Sequence, residues 1–313
     1  MTDAMIARAE AERLVSQPSF AEFPANAPIH AAFRMIKLRE GTRPPLGGMN
    51  TRVAFGTART AQDAARLAGF EAIERFALQF SKRHVDPRES LLASDGQTHV
   101  LPVDALCLGA PATNGKITSK GAAAGPSHEA ATMRAILECL EHALGDIAST
   151  HMLSAEMLPQ DLLRWLHLHL RDLQIQLNVV PEVGLLIRAV CADMDGGRPT
   201  YGTALSNQLH TGVWHAASEA VVSWRNMVML DFNGVTQDGM APEQKRLFQL
   251  YRGADRDRAR APSAPFDADT WHAPDPTLTT VLTAVSTALD QPVAVFDMTA
   301  PELPLPVVKA VPV

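Results

Sequence analysis

Two related segments of the chain form a rough internal duplication, and this feature most limits how the chain can fold. AARLAGFEAIERFA begins at Ala64, and ATMRAILECLEHAL begins at Ala131. Each segment follows a glycine-bearing run of small residues, FGTART in the first case and SKGAAAGPS in the second. Thr60 and Ser127 stand where helix N-caps are expected, and apolar residues recur at helical spacing after them. The pattern predicts two similar units, each a small-residue loop followed by an amphipathic helix.

Both predicted helices carry a pair of glutamates, Glu71 with Glu74 and Glu138 with Glu141. Glutamates three positions apart share one face of a helix. They stand among residues that helical spacing would bury, where four carboxylates repel one another and lose hydration unless a positive group holds them. Mg²⁺ takes hard oxygen ligands together with substrate phosphates, so the two pairs could clamp a Mg²⁺–nucleotide. The glycine loops at the helix N-termini would then meet the phosphates.

The same glutamates also allow a purely structural interpretation. Helix glutamates are most often exposed or paired with a neighbouring arginine, and Arg66, Arg75 and Arg134 lie close to them along the sequence. A redox-metal site is not favoured, because helical di-iron sites use E-x-x-H motifs that neither helix contains. The repetition of the glutamate pair, with a loop attached to each copy, favours cation binding over the structural interpretation.

The rest of the chain alternates predicted strands and helices, which indicates an α/β fold with mixed sheets packed against helices. Strands are expected at residues 30–38, 51–57, 175–180, 184–192, 200–205 and 293–297, and further helices after Pro159, over 211–229 and over 277–289. We expect a single domain over residues 1–313, with an N-terminal helix and linker over 1–28. Residues 231–276 are rich in Gly, Asp, Arg and Pro, which predicts a flexible surface insertion.

The charge, the cysteine spacing and the apolar pattern of the chain argue against several classes of function. Lys and Arg total 28 against 34 Asp and Glu, a net charge of -6, which argues against a nucleic-acid partner bound by bulk positive charge. Cys107, Cys139 and Cys191 show no C-x-x-C spacing, so they predict neither a disulfide framework nor a structural zinc site. The N-terminus lacks a signal-peptide pattern, and no run of about 18 apolar residues could span a membrane. A cytoplasmic protein without a membrane partner is expected.

GTARTAQDAARLAGFEAIERF and TSKGAAAGPSHEAATMRAILECLEHA resemble the two hallmark blocks of the YcaO family. GTALSNQLHTGVWHAASEAVVSWR, at residues 202–225, is similar to the family's third block, which bears a glutamate and an arginine. VAVFDMTAPELPLPVVKAVPV, at residues 293–313, looks like the family's closing strand, loop and strand. The resemblance runs from about Thr51 to Val313 and leaves residues 231–276 unmatched.

This resemblance implies a function and a set of site residues. Members of the family use ATP and Mg²⁺ to phosphorylate the oxygen of a peptide backbone amide. The phosphorylation most often follows attack of a Cys, Ser or Thr side chain on the carbonyl of that amide. Loss of phosphate leaves an azoline, and relatives make thioamides or amidines in bacteriocins and other ribosomally made peptides. The residues implied to bind Mg²⁺ are Glu71, Glu74, Glu138 and Glu141, and those implied to bind the nucleotide also include Arg75, Ser119, Gly121, Glu219 and Arg225. No catalytic side-chain nucleophile is implied.

The chain departs from the family pattern at several positions, and an alternative function follows. Residues 56–58 read Gly-Thr-Ala where many relatives have Gly-Lys-Gly, Lys120 stands where Asn is common, and His142-Ala143 replaces Arg-Asp. All four acidic positions are kept. The alternative is a non-catalytic YcaO-like partner that binds precursor peptide or supports a modification complex.

The resemblance also implies partners. The segment before the first block is too short for a precursor-recognition or E1-like domain, so such a leader-binding protein is expected as a separate chain. The expected partners are therefore a precursor peptide and this second protein. Self-association as a homodimer stays open.

Overall fold

The computed structural model describes residues 2–43, 52–111, 117–145, 147–236, 240, 242–253, 264–303 and 305–313. Within these residues the chain forms two compact units. The first unit comprises Met1–Ala21, His30–Leu144 and Thr277–Val313, and the second comprises Glu22–Ile29 and Gly145–Pro276. The expectation of one family domain over the whole chain stays a prediction.

The helices begin close to the capping residues that the sequence indicated. In the described residues they are α1 (Thr2–Ala11), α2 (Ala61–Leu78), α3 (His128–Leu144), α4 (Gln160–Leu168), α5 (Leu209–Phe232), α6 (Pro242–Gly253) and α7 (Leu278–Leu289). The Thr60 hydroxyl accepts the N–H of Asp63 at 3.1 Å, and the Ser127 hydroxyl accepts that of Ala130 at 3.2 Å. Both predicted N-caps are confirmed. None of the described helices combines the length and apolarity that crossing a membrane requires.

The strands form three sheets among the described residues. They are β1 (Ser19–Phe20), β2 (His30–Met35), β3 (Val53–Ala58), β4 (Arg88–Ala93), β5 (Val100–Leu101), β6 (Ala122–Ala124), β7 (His151–Met152), β8 (Arg171–Val180), β9 (Gly184–Asp193), β10 (Thr200–Ser206), β11 (Ala264–Pro265), β12 (Val293–Asp297) and β13 (Val307–Pro312). Thr51, where a strand was expected to begin, lies outside the described residues. The mixture of sheets and helices confirms the predicted α/β class.

The first unit contains two antiparallel sheets, in the orders β1-β2-β3 and β5-β4-β12-β13-β6. Helix α2 packs on β2 and β3, and α3 packs on β6, β13 and α7. Ile73 and Phe76 of α2 share one apolar core with Phe296 of β12 and Val307 of β13. Burial of such large side chains contributes about 1.5–3 kcal/mol each, which holds α2 in place.

Two glycines explain why small residues precede the site helices. A Cβ added to Gly56 in β3 would lie 2.2 Å from the backbone nitrogen of Ala68 in α2. A Cβ on Gly202 in β10 would lie 2.1 Å from the carbonyl oxygen of Ala216 in α5. Only glycine therefore allows each helix to lie directly on its strand.

The second unit is one sheet in the order β10-β9-β8-β7-β11, covered by helices α4 and α5. The hairpin of β8 and β9 pairs every residue from Arg171 with Asp193 to Val180 with Gly184. Strand β8 begins at Arg171, earlier than predicted, because that arginine is buried and bonded to Asp193 and to the carbonyl of Cys191. A charged residue in the sequence does not indicate such burial.

The region predicted as a surface insertion, residues 231–276, contains α6 and β11. Phe248 and Tyr251 of α6 are buried together with Met227 of α5. Residues 237–239, 241 and 254–263 lie outside the described residues. The interpretation of this region as a flexible insertion stays a prediction.

Candidate functional site

Helices α2 and α3 bring the two predicted glutamate pairs into one electrostatic neighbourhood. Glu74 is partly buried in α2, and its carboxyl accepts the N–H of Ala124 in β6 at 3.2 Å. Burial raises the pKa of Glu74 well above its usual range, and the negative charges of Glu71 and Glu138 raise it further. Carboxylates from both helices therefore repel each other at this position.

Glu71 and Glu138 each lie beside a basic side chain. Glu71 pairs with Arg75 at 2.7 Å, and a second nitrogen of that guanidinium donates to the carbonyl of Val53 at 2.9 Å. Glu138 lies 3.7 Å from the ring nitrogen of His142. Burial raises the pKa of Glu138, His142 opposes that rise, and the charges of Glu71 and Glu141 add to it. Arg75 is thus one of the structural partners that the sequence suggested.

The donor set fits a hard divalent cation. Burial and then the repulsion from Glu71 and Glu138 raise the pKa of Glu74, and a cation beside its carboxyl would relieve that repulsion. Carboxylate oxygens are ligands that Mg²⁺ prefers. In the part of the chain that the structure describes, no three His, Cys, Asp or Glu side chains are grouped as a metal site. Mg²⁺ at a nucleotide site usually takes only one or two protein carboxylates, with waters and phosphates completing its shell, so it needs no such group.

The predicted phosphate turn, Ser119 to Gly121, lies directly before β6. Gly121 has a left-handed backbone with φ of +74°, and an added Cβ would lie 2.4 Å from the carbonyl oxygen of Ala310. The carbonyl of Gly121 accepts the N–H of Ala310 at 2.7 Å, and the carbonyl of Ser119 accepts that of Ala122 at 3.0 Å. The turn is therefore seated on β13, and position 121 requires glycine.

Residues after this turn connect it to both site helices. Ala124 donates its N–H to Glu74 of α2, and its carbonyl accepts a hydrogen bond from Arg134 of α3 at 3.4 Å. Gly125 continues the anchoring, because its N–H donates to the carbonyl of Pro306 at 3.0 Å. The turn, β6 and the two glutamate helices thus form one connected group within the first unit.

The remaining predicted residues, Glu219 and Arg225, belong to α5 of the second unit. The carboxyl of Glu219 accepts the N–H of Thr203 in β10 at 2.8 Å. The guanidinium of Arg225 donates to the carbonyl of Glu22 and to the side chain of Asn226, both at 3.2 Å. Glu219 thus repeats the arrangement of Glu74, in which a helix carboxylate accepts an N–H from a neighbouring strand.

Sequence reasoning missed Lys309 of β13. Its side chain is 3% exposed, and its ammonium donates to the carbonyls of Leu106 and Thr118, both at 2.8 Å. Burial lowers the pKa of Lys309 to about 8, against the opposing effects of Cys107 and Glu138. The signal that could have found it is a single lysine inside the apolar run VVKAVPV. Side chains alternate between the two faces of a strand, so this lysine shares a face with two valines.

A model of a known protein family matches residues 92–312 of the chain. The matching family model is described as YcaO cyclodehydratase, ATP- and Mg²⁺-binding. The match includes α3 and α5, and α2 lies before it. No curated protein sequence matches the chain significantly.

Solved structures with a similar fold include the YcaO protein of Methanopyrus kandleri bound with AMPPCP and Mg²⁺. The two are 17% identical with a TM-score of 0.71, over 99% of this chain and 90% of that one. A heterocyclase in complex with substrate and cofactor is 15% identical with a TM-score of 0.72, over 98% of this chain and 52% of that one. The Escherichia coli microcin synthetase McbBCD complex gives 12% identity and a TM-score of 0.65, over 94% of this chain and 87% of that one. At such identities the likeness shows the fold.

Proposed function

The chain belongs to the YcaO family, and on that premise we propose that it uses ATP and Mg²⁺ to activate a backbone amide of a ribosomally made precursor peptide. Azoline formation by cyclodehydration is the proposed outcome, with O-phosphorylation of the amide as the activating step. The observation that carries the proposal is the placement of Glu74, which accepts the Ala124 N–H and whose pKa is raised by burial and then by the charges of Glu71 and Glu138. Uncompensated carboxylates have no evident value as a scaffold, whereas a cation would stabilise them.

Each part of the first-unit site has a proposed role. Glu71, Glu74, Glu138 and Glu141 would hold Mg²⁺, one or two of them directly and the others through its bound waters, and the ion would neutralise phosphate charge. The turn at residues 119–121 would orient the phosphates, because small residues let them approach the backbone closely. Arg75 keeps Glu71 oriented and adds positive charge where a transferring phosphoryl group needs it. The attacking hydroxyl or thiol would come from the peptide. The roles that the resemblance assigns to Glu219 and Arg225 stay predictions.

Proposed partners follow from the same premise. The chain covers 52% of the heterocyclase that was solved with substrate and cofactor, and the microcin synthetase was solved as a complex. By analogy we expect a precursor peptide as substrate and a separate leader-binding or E1-like protein as partner.

Calorimetric titration of ATP in the presence of Mg²⁺ tests nucleotide binding. The wild-type protein should bind in the micromolar range, and Glu71→Gln and Glu138→Gln should each weaken binding by about tenfold or more. Glu129→Gln, an exposed change in the first turn of α3, is the matched control and should bind as the wild type does. A folded wild-type protein that binds no ATP even at millimolar concentration would contradict the proposal.

Mass spectrometry tests the chemistry. The protein is incubated with ATP, Mg²⁺ and test peptides that contain Cys, Ser or Thr, with and without a candidate leader-binding protein. The proposed reaction removes one water per ring formed and releases one ADP and one phosphate. Loss of water that proceeds without ATP, or ATP consumption without any change in peptide mass, would contradict it.

The non-catalytic alternative has its own supporting observation. Glu71 is paired with the guanidinium of Arg75, so part of the carboxylate charge is balanced by the protein itself. Residues 56–58 also lack the lysine common in relatives. This alternative predicts that the chain binds precursor peptide and does not respond to ATP, which the same titrations distinguish.

A further inference from the structure

Lys309 is a buried cation that the proposed chemistry leaves unexplained. Its ammonium is enclosed in the first unit and donates to two backbone carbonyls, those of Leu106 and Thr118. Among the described residues, no carboxylate lies within ion-pair distance of it. Burying an ammonium lowers stability unless its hydrogen bonds are well made, so an apolar residue at this position would be the more stable structural choice.

The contacts of Lys309 lead directly to the proposed phosphate turn. Thr118 immediately precedes Ser119, so the ammonium holds the carbonyl at the start of this turn. The next residue of the same strand, Ala310, donates its backbone N–H to the carbonyl of Gly121 at 2.7 Å. Two consecutive residues of β13 therefore hold both ends of the turn, one through its side chain and one through its backbone.

The same contacts continue toward the glutamates. Strand β6 begins directly after the turn and pairs with β13, with Lys309 opposite Ala122. Its last residue, Ala124, donates its N–H to Glu74. The charge of Glu138 also favours the ammonium form of Lys309, so the cation and the carboxylates of the site influence one another. A displaced turn would thus shift a hydrogen bond at the carboxylate cluster.

We propose that Lys309 is a positioning residue: it holds the turn at residues 119–121, and through β6 the Ala124 N–H, where a bound nucleotide's phosphates need them. This inference rests on the proposed function for the identity of the ligand. Lys309 itself does not contact the reacting groups.

The test combines amide hydrogen exchange without nucleotide and calorimetric titration of ATP with Mg²⁺. Lys309→Met keeps the aliphatic length and removes the charge and the donors. We expect faster exchange of the amides of residues 119–122, unchanged exchange in the β8–β9 hairpin, and ATP affinity reduced by about tenfold. Lys309→Arg keeps charge and donors and should recover most of that affinity.

The control is Val308→Ala, at a fully buried neighbour in the same strand. It should lower stability without lowering ATP affinity. If Val308→Ala and Lys309→Met lose ATP affinity equally, the effect is general destabilisation and the inference is overturned. The inference is also overturned if Lys309→Met has the hydrogen exchange and the ATP affinity of the wild type. If Lys309→Met does not fold, Lys309→Gln takes its place in the same comparison. If the wild-type protein binds no ATP, the proposed function fails, and the exchange measurement alone decides whether Lys309 holds the turn.

Discussion

At the residue scale, the carboxyl of Glu74 shows how the glutamate cluster lowers the stability of the protein when no cation is bound. It is withdrawn from water, lies close to the charges of Glu71 and Glu138, and accepts the N–H of Ala124. The amide of a glutamine has nearly the same shape and can still accept that hydrogen bond. Replacing Glu74 with glutamine therefore tests two effects separately: the effect of the carboxylate on stability and its effect on cation binding.

We predict that Glu74→Gln leaves the free energy of unfolding equal or higher in the absence of Mg²⁺, because it removes a repelled carboxylate. The same variant should weaken binding of ATP with Mg²⁺ by about tenfold or more. Urea unfolding and calorimetry measure the two effects, with Glu129→Gln as the exposed control. A variant that is less stable and yet binds ATP normally would show that the carboxylate has only a structural role.

Lys309 supplies a prediction on pH. Because burial lowers its pKa to about 8, the folded state holds this proton less tightly than the unfolded state does. Its contribution to stability is therefore complete above the pKa of the unfolded lysine and is lost as the pH falls through the folded pKa. The free energy of unfolding of the wild type, minus that of Lys309→Met, should rise by on the order of 2 kcal/mol between about pH 7 and pH 10. Urea unfolding across this range checks it, and a constant difference would contradict it.

At the scale of the elements, the glycine-bearing strands let helices approach and so determine where the glutamates lie. Gly56 lies under α2, which carries Glu71 and Glu74, and Gly202 lies under α5, which carries Glu219. The two nearest obstacles that a Cβ would meet at each glycine are backbone atoms, which cannot move unless the whole helix moves. The small-residue runs of the sequence thus act through helix position.

Gly56→Ala and Gly202→Ala should each destabilise the protein by about 1–3 kcal/mol, as overpacking of a close interface does. Gly253→Ala, at the end of α6 where an added Cβ meets no atom of the described residues within 4 Å, is the control and should cause no such loss. Urea denaturation measures the differences. Wild-type stability in both variants would mean that strand and helix separate more easily than their close approach indicates.

At the scale of the whole molecule, ligand binding to the folded state should appear as increased stability. A ligand that binds only the folded protein stabilises it by about 2.7 kcal/mol at a concentration one hundred times its Kd. We predict that ATP with Mg²⁺ raises the Tm, whereas ATP with EDTA raises it little, because the carboxylates and the phosphates repel each other without the cation. Differential scanning fluorimetry is the measurement, and an identical Tm in the presence and absence of Mg²⁺ would argue against a cation at the glutamates.

Local patterns predicted much of the molecule. The N-caps Thr60 and Ser127 and the helices that follow them depend on neighbouring residues only, and the structure confirms them. Strand β12 has the predicted bounds, whereas β8 begins earlier than expected because Arg171 is buried by distant partners. Hydrophobic periodicity cannot indicate a buried charge whose hydrogen-bonding partners lie elsewhere in the chain.

The α/β class, the duplicated helices and the glutamate pairs follow from the order of the amino acids alone, because spacing along a helix places the glutamates of each pair on one face. Three contacts appear only once the chain is folded: Glu74 is buried close to the charge of Glu138, Ala124 donates its N–H to Glu74, and Lys309 holds the start of the phosphate turn. These contacts join residues far apart in the chain. They depend on how sheets and helices pack, and no local pattern contains that information.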